Sequence, residues 1–307
     1  MVLAMAADAP SRLDVSFPSS GEDCRAWLFR PGTPLSRELA PLVILGHGLG
    51  GTREDGLEPY ARRFAAAGMA ALVFTYRHFG DSAGQPRRLV DVDRQLADWS
   101  AALIYARRLD GIDPRRIALW GSSFGGGHVI EAAARDSAVA AVVSQCPFTD
   151  GLAAVRAADP RSLVRAGALA MRDEWARVRR KSPVTIPLVG PPGSSAVMTS
   201  PDAEAGYRSL LPPGDDRDNG IPARFINRVG RYRPGRAARK VNAPILFCIC
   251  DNDAVAPPAA ALRYATTAPR GEVRRYPIGH FDIYRGEPFE RAVADQTEFL
   301  IRHLKAA

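Results

Sequence analysis

The stretch "LWGSSFGGG", residues 119–127, decides how this chain is read. Two serines sit in a turn crowded with four glycines, directly after a run of strand-forming residues. Serine holds neither a strand nor a helix together well, and glycine is worse. Such a composition answers a need for a sharp bend and close backbone approach. Gly121-Ser122-Ser123-Phe124-Gly125 is a Gly-x-Ser-x-Gly pattern between a predicted strand (116–122) and a predicted helix (124–135), the context that gives the motif meaning. The plain alternative is a glycine-rich turn with incidental serines. On the first reading Ser123 stands on a strained turn with its hydroxyl lifted above the sheet edge. Gly121 and Gly125 let the neighbouring backbone crowd it, and the Phe124 N–H at the helix start faces developing negative charge.

Outward from this turn, short apolar runs alternate with amphipathic ones. LDVSF (13–17) and CRAWLF (24–29) read as edge strands. PLVILGHG (41–48), AALVFTY (70–76), RIALWGS (116–122), AVAAVVSQC (138–146) and PILFCIC (244–250) read as buried strands, and EVRRYPIG (272–279) as the last. Helices are predicted over 57–67, 91–109, 124–135, 258–267 and 288–304. In 91–109, Val92, Leu96, Trp99, Leu103 and Ala106 recur in steps of three and four, one helical face. Continuous apolar strands alternating with helices imply an α/β fold with a mostly parallel central sheet and helices on both faces.

One segment breaks the rhythm. Almost a hundred residues separate the strand ending near Cys146 from the one starting at Pro244. RSLVRAGALAMRDEWARVRRK (161–181) reads as a helix with an apolar seam at Val164, Ala168, Met171, Trp175 and Val178. Residues 183–214 are rich in proline, glycine and serine and read as loop. An inserted, largely helical cap explains this better than a long structureless loop. The expected organisation is a core in two parts, 1–147 and 241–307, with a cap at 148–240. Met171 and Trp175 are the cap side chains expected to line a substrate pocket.

The 307 residues suit one large domain carrying an insertion, and 46% hydrophobic and 24% charged residues are ordinary for a soluble enzyme. No apolar run is long enough to span a bilayer, and MVLAMAADAP lacks the basic start of a secretory signal, so no membrane role is expected. Cys24, Cys146, Cys248 and Cys250 have no zinc or redox-motif spacing and read as reduced, packed thiols of a cytoplasmic protein. The formal charge of +8 resides in residues 151–240, which hold 17 Lys+Arg against 8 Asp+Glu, a net of +9. Lysine appears only at 181, 240 and 305, so nearly all of this excess is arginine. It reads first as solvated surface. A phosphate-bearing or acidic partner is the sharper alternative. No zinc-finger or aromatic RNA-binding motif supports nucleic-acid binding. The sequence sets no oligomeric state; a homodimer is allowed.

Three further stretches join the serine turn. Gly46-His47-Gly48-Leu49-Gly50-Gly51 follows the third strand, where a second oxyanion donor is expected, and the Leu49 N–H is the choice for it. Asp253 follows a strand in "CDNDAVAPP", and His280 follows the last strand in "YPIGHFDIYRG". Each therefore lies at the C-terminal end of a different strand, the edge where open α/β sheets gather ligands. In this order "ILGHGLGG", "YRHFGDSAG", "LWGSSFGG", "CDNDAVAPP" and "GHFDIYRG" make the chain resemble an α/β-hydrolase-fold serine hydrolase over most of its length. The resemblance implies Ser123 as nucleophile, Asp253 as acid and His280 as base. Asp253 is preferred to Asp251 because the family's acid usually precedes a short turn to a proline, here Pro257. Asp282 is expected to steady its loop and Ser122 to point elsewhere. His47, His78, His128 and His303 are read as structural.

The resemblance implies cleavage of a small acyl substrate through an acyl-enzyme, with no metal or organic cofactor. A carboxylic ester comes first and a thioester second, since an arginine-rich cap could attract coenzyme A phosphates or an acidic carrier protein. A peptidase comes third. A non-catalytic receptor on the same scaffold would tolerate loss of the triad, whereas all three members are present here.

Overall fold

The computed structural model describes residues 11–32 and 39–305; the opening stretch MVLAMAADAP (1–10) lies outside the described residues. Strands β1 (Ser11–Ser19) and β2 (Glu22–Arg30) form an antiparallel hairpin. Its two-residue turn puts both Ser20 and Gly21 at positive φ, which matches the twist of the flanking strands. Then follow β3 (Ala40–Gly46), α1 (Glu58–Ala66), β4 (Ala70–Phe74), α2 (Val92–Ala106), β5 (Ile112–Ser122), α3 (Phe124–Arg135) and β6 (Ala141–Gln145). After β6 come α4 (Gly151–Ala157), α5 (Pro160–Val178), β7 (Thr185–Pro187), α6 (Ala203–Arg208), β8 (Gly220–Pro222) and α7 (Ile226–Val229). The chain finishes with β9 (Ile245–Cys250), α8 (Pro258–Ala265), β10 (Gly271–Tyr276) and α9 (Gly286–His303).

The main sheet runs β1-β2-β4-β3-β5-β6-β9-β10. Its first two pairings, β1 with β2 and β2 with β4, are antiparallel, and the rest are parallel. Both faces of β4 and β9 and of most of β3 are buried, which is why these strands are apolar at nearly every position rather than at alternate ones, whereas the edge strands β1 and β10 are largely exposed. Leu42, Ile44, Leu72, Phe74, Ile117 and Leu119 point into one core, with Trp99 of α2 and Val129 of α3. Their neighbours Val43, Leu45, Ala71, Val73, Ala118 and Trp120 point into the other, with Phe64 of α1 and Phe299 of α9. The seam expected on 91–109 is the buried face of α2: Leu96, Trp99, Leu103 and Ala106 are inside, and Val92 packs at its margin. Asp91 caps that helix by accepting the Arg94 N–H.

The stretch between β6 and β9 is not purely helical, because β7 and β8 pair there as a small antiparallel sheet and Val189 bridges Met198. Ile186, Leu188, Ile221, Ala223 and Phe225 belong to the same buried cluster as the first face of the main sheet. The insertion therefore shares a core with the body. Helix α5 turns its small residues inward. Ala166, Ala170 and Ala176 are buried, and Asp173 accepts from the Arg224 guanidinium at 2.7 and 3.0 Å and from the Val184 N–H at 2.9 Å.

Candidate active site

Ser123 joins β5 to α3 as the N-cap residue, at φ 57°, ψ −117°. Positive φ is uncommon for a residue with a side chain and must be imposed by its surroundings. Here the Ser123 N–H donates to the Gln145 carbonyl (2.9 Å), and the Ser123 carbonyl accepts from Phe148 (2.9 Å) and Gly127 (3.2 Å). The glycines follow from crowding. A Cβ on Gly121 would meet the Gly125 carbonyl oxygen at 2.2 Å, and one on Gly125 would meet the His47 carbonyl oxygen at 2.5 Å. The turn thus brings the β3 loop against the loop that carries Ser123, and only hydrogen fits between them.

His280 follows β10 and Asp253 follows β9. The structure brings both to Ser123. His280 Nε2 lies 3.0 Å from Ser123 Oγ, and His280 Nδ1 lies 2.6 Å from Asp253 Oδ2. A carboxylate can only accept, so Nδ1 carries a proton, and in the neutral ring Nε2 is then free to accept the serine O–H. Asp253 Oδ1 is held by the N–H groups of Val255 (2.8 Å) and Ala256 (2.7 Å), which fix the carboxylate's direction. Burial alone would lower the His280 imidazole, but the Cys146 sulfur and the Asp253 carboxylate outweigh it and raise the ring to about 9.

The competing residues sit elsewhere. Asp251 pairs with Arg275 at 2.8 Å on the surface side, and Asp282 accepts the Gly279 N–H at 2.8 Å within its own loop. Ser122 Oγ turns into the body, 2.5 Å from the Tyr284 hydroxyl and 3.0 Å from Gln145 Nε2. His47 accepts the Tyr76 N–H at Nε2 (3.3 Å), so its Nδ1–H donates to the Gly48 carbonyl (2.9 Å). Burial lowers this ring to about 3 and keeps it neutral. His128 bridges Tyr232 and Gln95, His78 reaches the Pro86 carbonyl, and His303 lies by Glu272.

Leu49 lines a cavity of about 30 Å³ beside Ser123 and His280. Phe124 begins α3, and its N–H is one of the first-turn donors that no helical carbonyl can satisfy. Met198, Tyr207 and Leu210 of the insertion, with Phe281, Tyr284 and Asp55, close the rest. A space this small holds little more than water. Another depression, of about 540 Å³, lies away from Ser123, between the β1–β2 hairpin and α2.

The expected pocket residues Met171 and Trp175 need correction. They are 68% and 55% exposed, on the outer face of α5 with Val164 and Val178, and Arg179 covers the Trp175 ring at 3.3 Å. The seam signal follows the large apolar side chains, whereas α5 packs through alanines and the Asp173–Arg224 pair, so its large residues face outward. The wall residues Met198, Tyr207 and Leu210 lie in and around 183–214, whose composition carries no periodic signal by which they could be found.

Comparison with known proteins adds a lineage to this geometry. The family model described as serine aminopeptidase, S33, matches residues 37–209. The quorum-quenching protein AidA of Acinetobacter baumannii (strain MDR-ZJ06) is 49% identical over 290 residues, covering 94% of this chain and 94% of its own. A thiohydrolase of Eupenicillium brefeldianum is 24% identical over 298 residues, covering 94% of each. The crystal structure of the α/β hydrolase GrgF from Penicillium sp. sh18 has a TM-score of 0.81 at 24% identity, covering 96% of this chain and 99% of that one.

Proposed function

The chain belongs to the serine aminopeptidase S33 family of α/β hydrolases, and from that premise we propose that it is a serine hydrolase that cleaves a carboxylic ester through an acyl-enzyme. The observation that carries the proposal is the unbroken line from Asp253 through His280 to Ser123, with contacts of 2.6 and 3.0 Å. A serine hydroxyl is a weak nucleophile at neutral pH. His280 takes its proton at Nε2 as Oγ attacks the carbonyl carbon, and then gives that proton to the leaving oxygen as the acyl–oxygen bond breaks. Asp253 holds the ring in register and stabilises the transient imidazolium. The N–H groups of Leu49 and Phe124 receive the oxyanion, each worth about 3 kcal/mol by analogy with other hydrolases. Water, deprotonated by the same base, then releases the acid.

Residues 148–240 act in this reading as the cap, whose Met198, Tyr207 and Leu210 bound the acyl site. The relative named a quorum-quenching protein supports including a signal molecule in the substrate panel, because a hydrolase can silence a signal by cutting it. The relative named a thiohydrolase supports the second reading, a thioester at the same serine. Oxygen and sulfur esters of one acyl chain, compared by kcat/KM, separate the two. The reaction itself is tested by Ser123→Ala with p-nitrophenyl butyrate and a fluorophosphonate probe. Turnover is expected to fall by at least about 10³-fold, with labelling lost and the circular dichroism spectrum unchanged. Near wild-type turnover in that variant would refute the assignment.

A further inference from the structure

The loop after β3, which carries Leu49, is fixed from two sides. The body holds it at His47, through Tyr76, and at Arg53, whose N–H donates to Thr75 Oγ1 (3.1 Å) and whose guanidinium pairs with Asp81 at 2.5 and 2.8 Å. The insertion holds it at Gly50, Thr52 and Asp55. The Tyr207 hydroxyl donates to the Gly50 carbonyl at 3.2 Å. Arg217 Nη1 donates to Asp55 Oδ2 at 3.0 Å and to Thr52 Oγ1 at 3.3 Å. The same Asp55 oxygen accepts the Thr52 N–H at 2.8 Å, closing the turn that follows Leu49 and the glycines.

This clasp is buried: the Arg217 and Asp55 side chains are 16% and 4% exposed. Arg217 is aimed by Asp215, which accepts its Nε at 2.8 Å. Burial pushes the Asp55 carboxyl up to about 6, and the Arg217 charge is the foremost influence holding it down. Asp215 and Tyr207 face the pair from the insertion, and His47, neutral by burial, lies nearby in the body. Without the guanidinium, a carboxylate stranded here takes up a proton or swings out to water. Either change loosens the Thr52 turn.

We propose that Arg217 is a positioning residue for the reaction at Ser123: through Thr52 and Asp55 it holds the Leu49 loop in the shape that presents the Leu49 N–H to the oxyanion, so that this donor is set only while the insertion is seated. The inference rests on the serine-hydrolase reading above. It gives the insertion a part in rate as well as in substrate choice. A lysine at 217 supplies a point charge but not the fork that spans Asp55, Thr52 and Asp215 together.

The test pairs steady-state kinetics on p-nitrophenyl butyrate with amide hydrogen exchange over residues 48–56. In Arg217→Met, kcat is expected to fall about 10- to 100-fold, the range of a weakened oxyanion donor, with KM within about threefold. Exchange in 48–56 should quicken while protection of β3 and β5 is kept. Arg217→Lys should fall between, and Arg177→Met, which loses only a surface pair with Glu174, should match the wild type. Unchanged kcat in Arg217→Met, or a loss of protection spread through the sheet, overturns the positioning role. If the wild type and Ser123→Ala turn over alike, the hydrolase reading fails and takes this role with it. An inert Ser123→Ala beside a fully active Arg217→Met sinks the positioning role alone.

Discussion

Gly121→Ala adds one methyl group where β5 turns into α3. Its carbon would stand 2.2 Å from the Gly125 carbonyl oxygen, 2.5 Å from the Gly125 carbonyl carbon and 2.9 Å from a Val129 methyl. The first two atoms are backbone in the opening turn of α3, so no side-chain rotation relieves the clash. Ordinary contact needs at least about 1 Å more, and the start of the helix must retreat to give it. Ser123 is the N-cap of that helix, and its Oγ lies 3.0 Å from His280 Nε2, so the retreat falls on the reacting contact. A misplacement of about 1 Å costs on the order of 10²-fold in rate, and the overpacking costs about 1–3 kcal/mol of stability. The assay is kcat/KM for p-nitrophenyl butyrate beside a urea unfolding curve. Gly167→Ala is the control: on α5 a methyl group there meets nothing within 4 Å. It should leave activity alone and add up to about 1 kcal/mol. Wild-type kcat/KM in Gly121→Ala would refute the claim that this crowding sets the position of Ser123.

Asp253→Asn should lower kcat by about 10³- to 10⁴-fold by spoiling the ring's tautomer, whereas Asp251→Asn, losing only its Arg275 pair, should stay within about twofold. Equal losses in both would undo the choice between them. Because the His280 ring is raised to about 9, kcat/KM should climb with pH until that ring is neutral, and a plateau reached by pH 6 would contradict the environment described. The same shift stabilises the fold fully below the ordinary histidine value of about 6.5 and loses that contribution as pH rises through about 9; urea titrations from pH 6 to 10 measure it. Trp175→Ala should leave kcat/KM within about twofold, while Met198→Ala, opening the wall beside Ser123, should shift chain-length preference toward longer acyl groups by about 1–3 kcal/mol per methylene-sized change. The opposite pattern would return the pocket to α5.

The sheet was legible because buried parallel strands leave a loud signal: runs such as LVIL and ILFCIC have no polar break, and the glycines around Ser123 mark contacts that tolerate no side chain. The approach of Asp253 and His280 to Ser123 was legible by their places after strands, together with resemblance to a known family. What the sequence hid was orientation. On α5 the inward face is alanine and aspartate, so periodicity pointed at the wrong side of the helix. Asp55 and Arg217, 162 positions apart, announce nothing until the backbone brings them together, and a lone arginine in an arginine-rich stretch looks like surface charge. Tyr207 and Met198 come from a proline- and glycine-rich region whose shape depends on what it rests against.

The shared core between insertion and body restricts how this molecule handles a guest. Ile186, Leu188, Ile221 and Phe225 are cemented into the packing of the main sheet, so a wholesale swing of the insertion would strip apolar surface bare. On the proposed hydrolase reading, admission falls to the largely half-buried ribbon around 198–211, the part of this stretch that borders the cavity beside Ser123. Evolution inherits the same division of labour: Met198 and Leu210 can drift toward new guests, whereas Gly206, pressed against Phe281, and Tyr207, tied to Gly50, cannot.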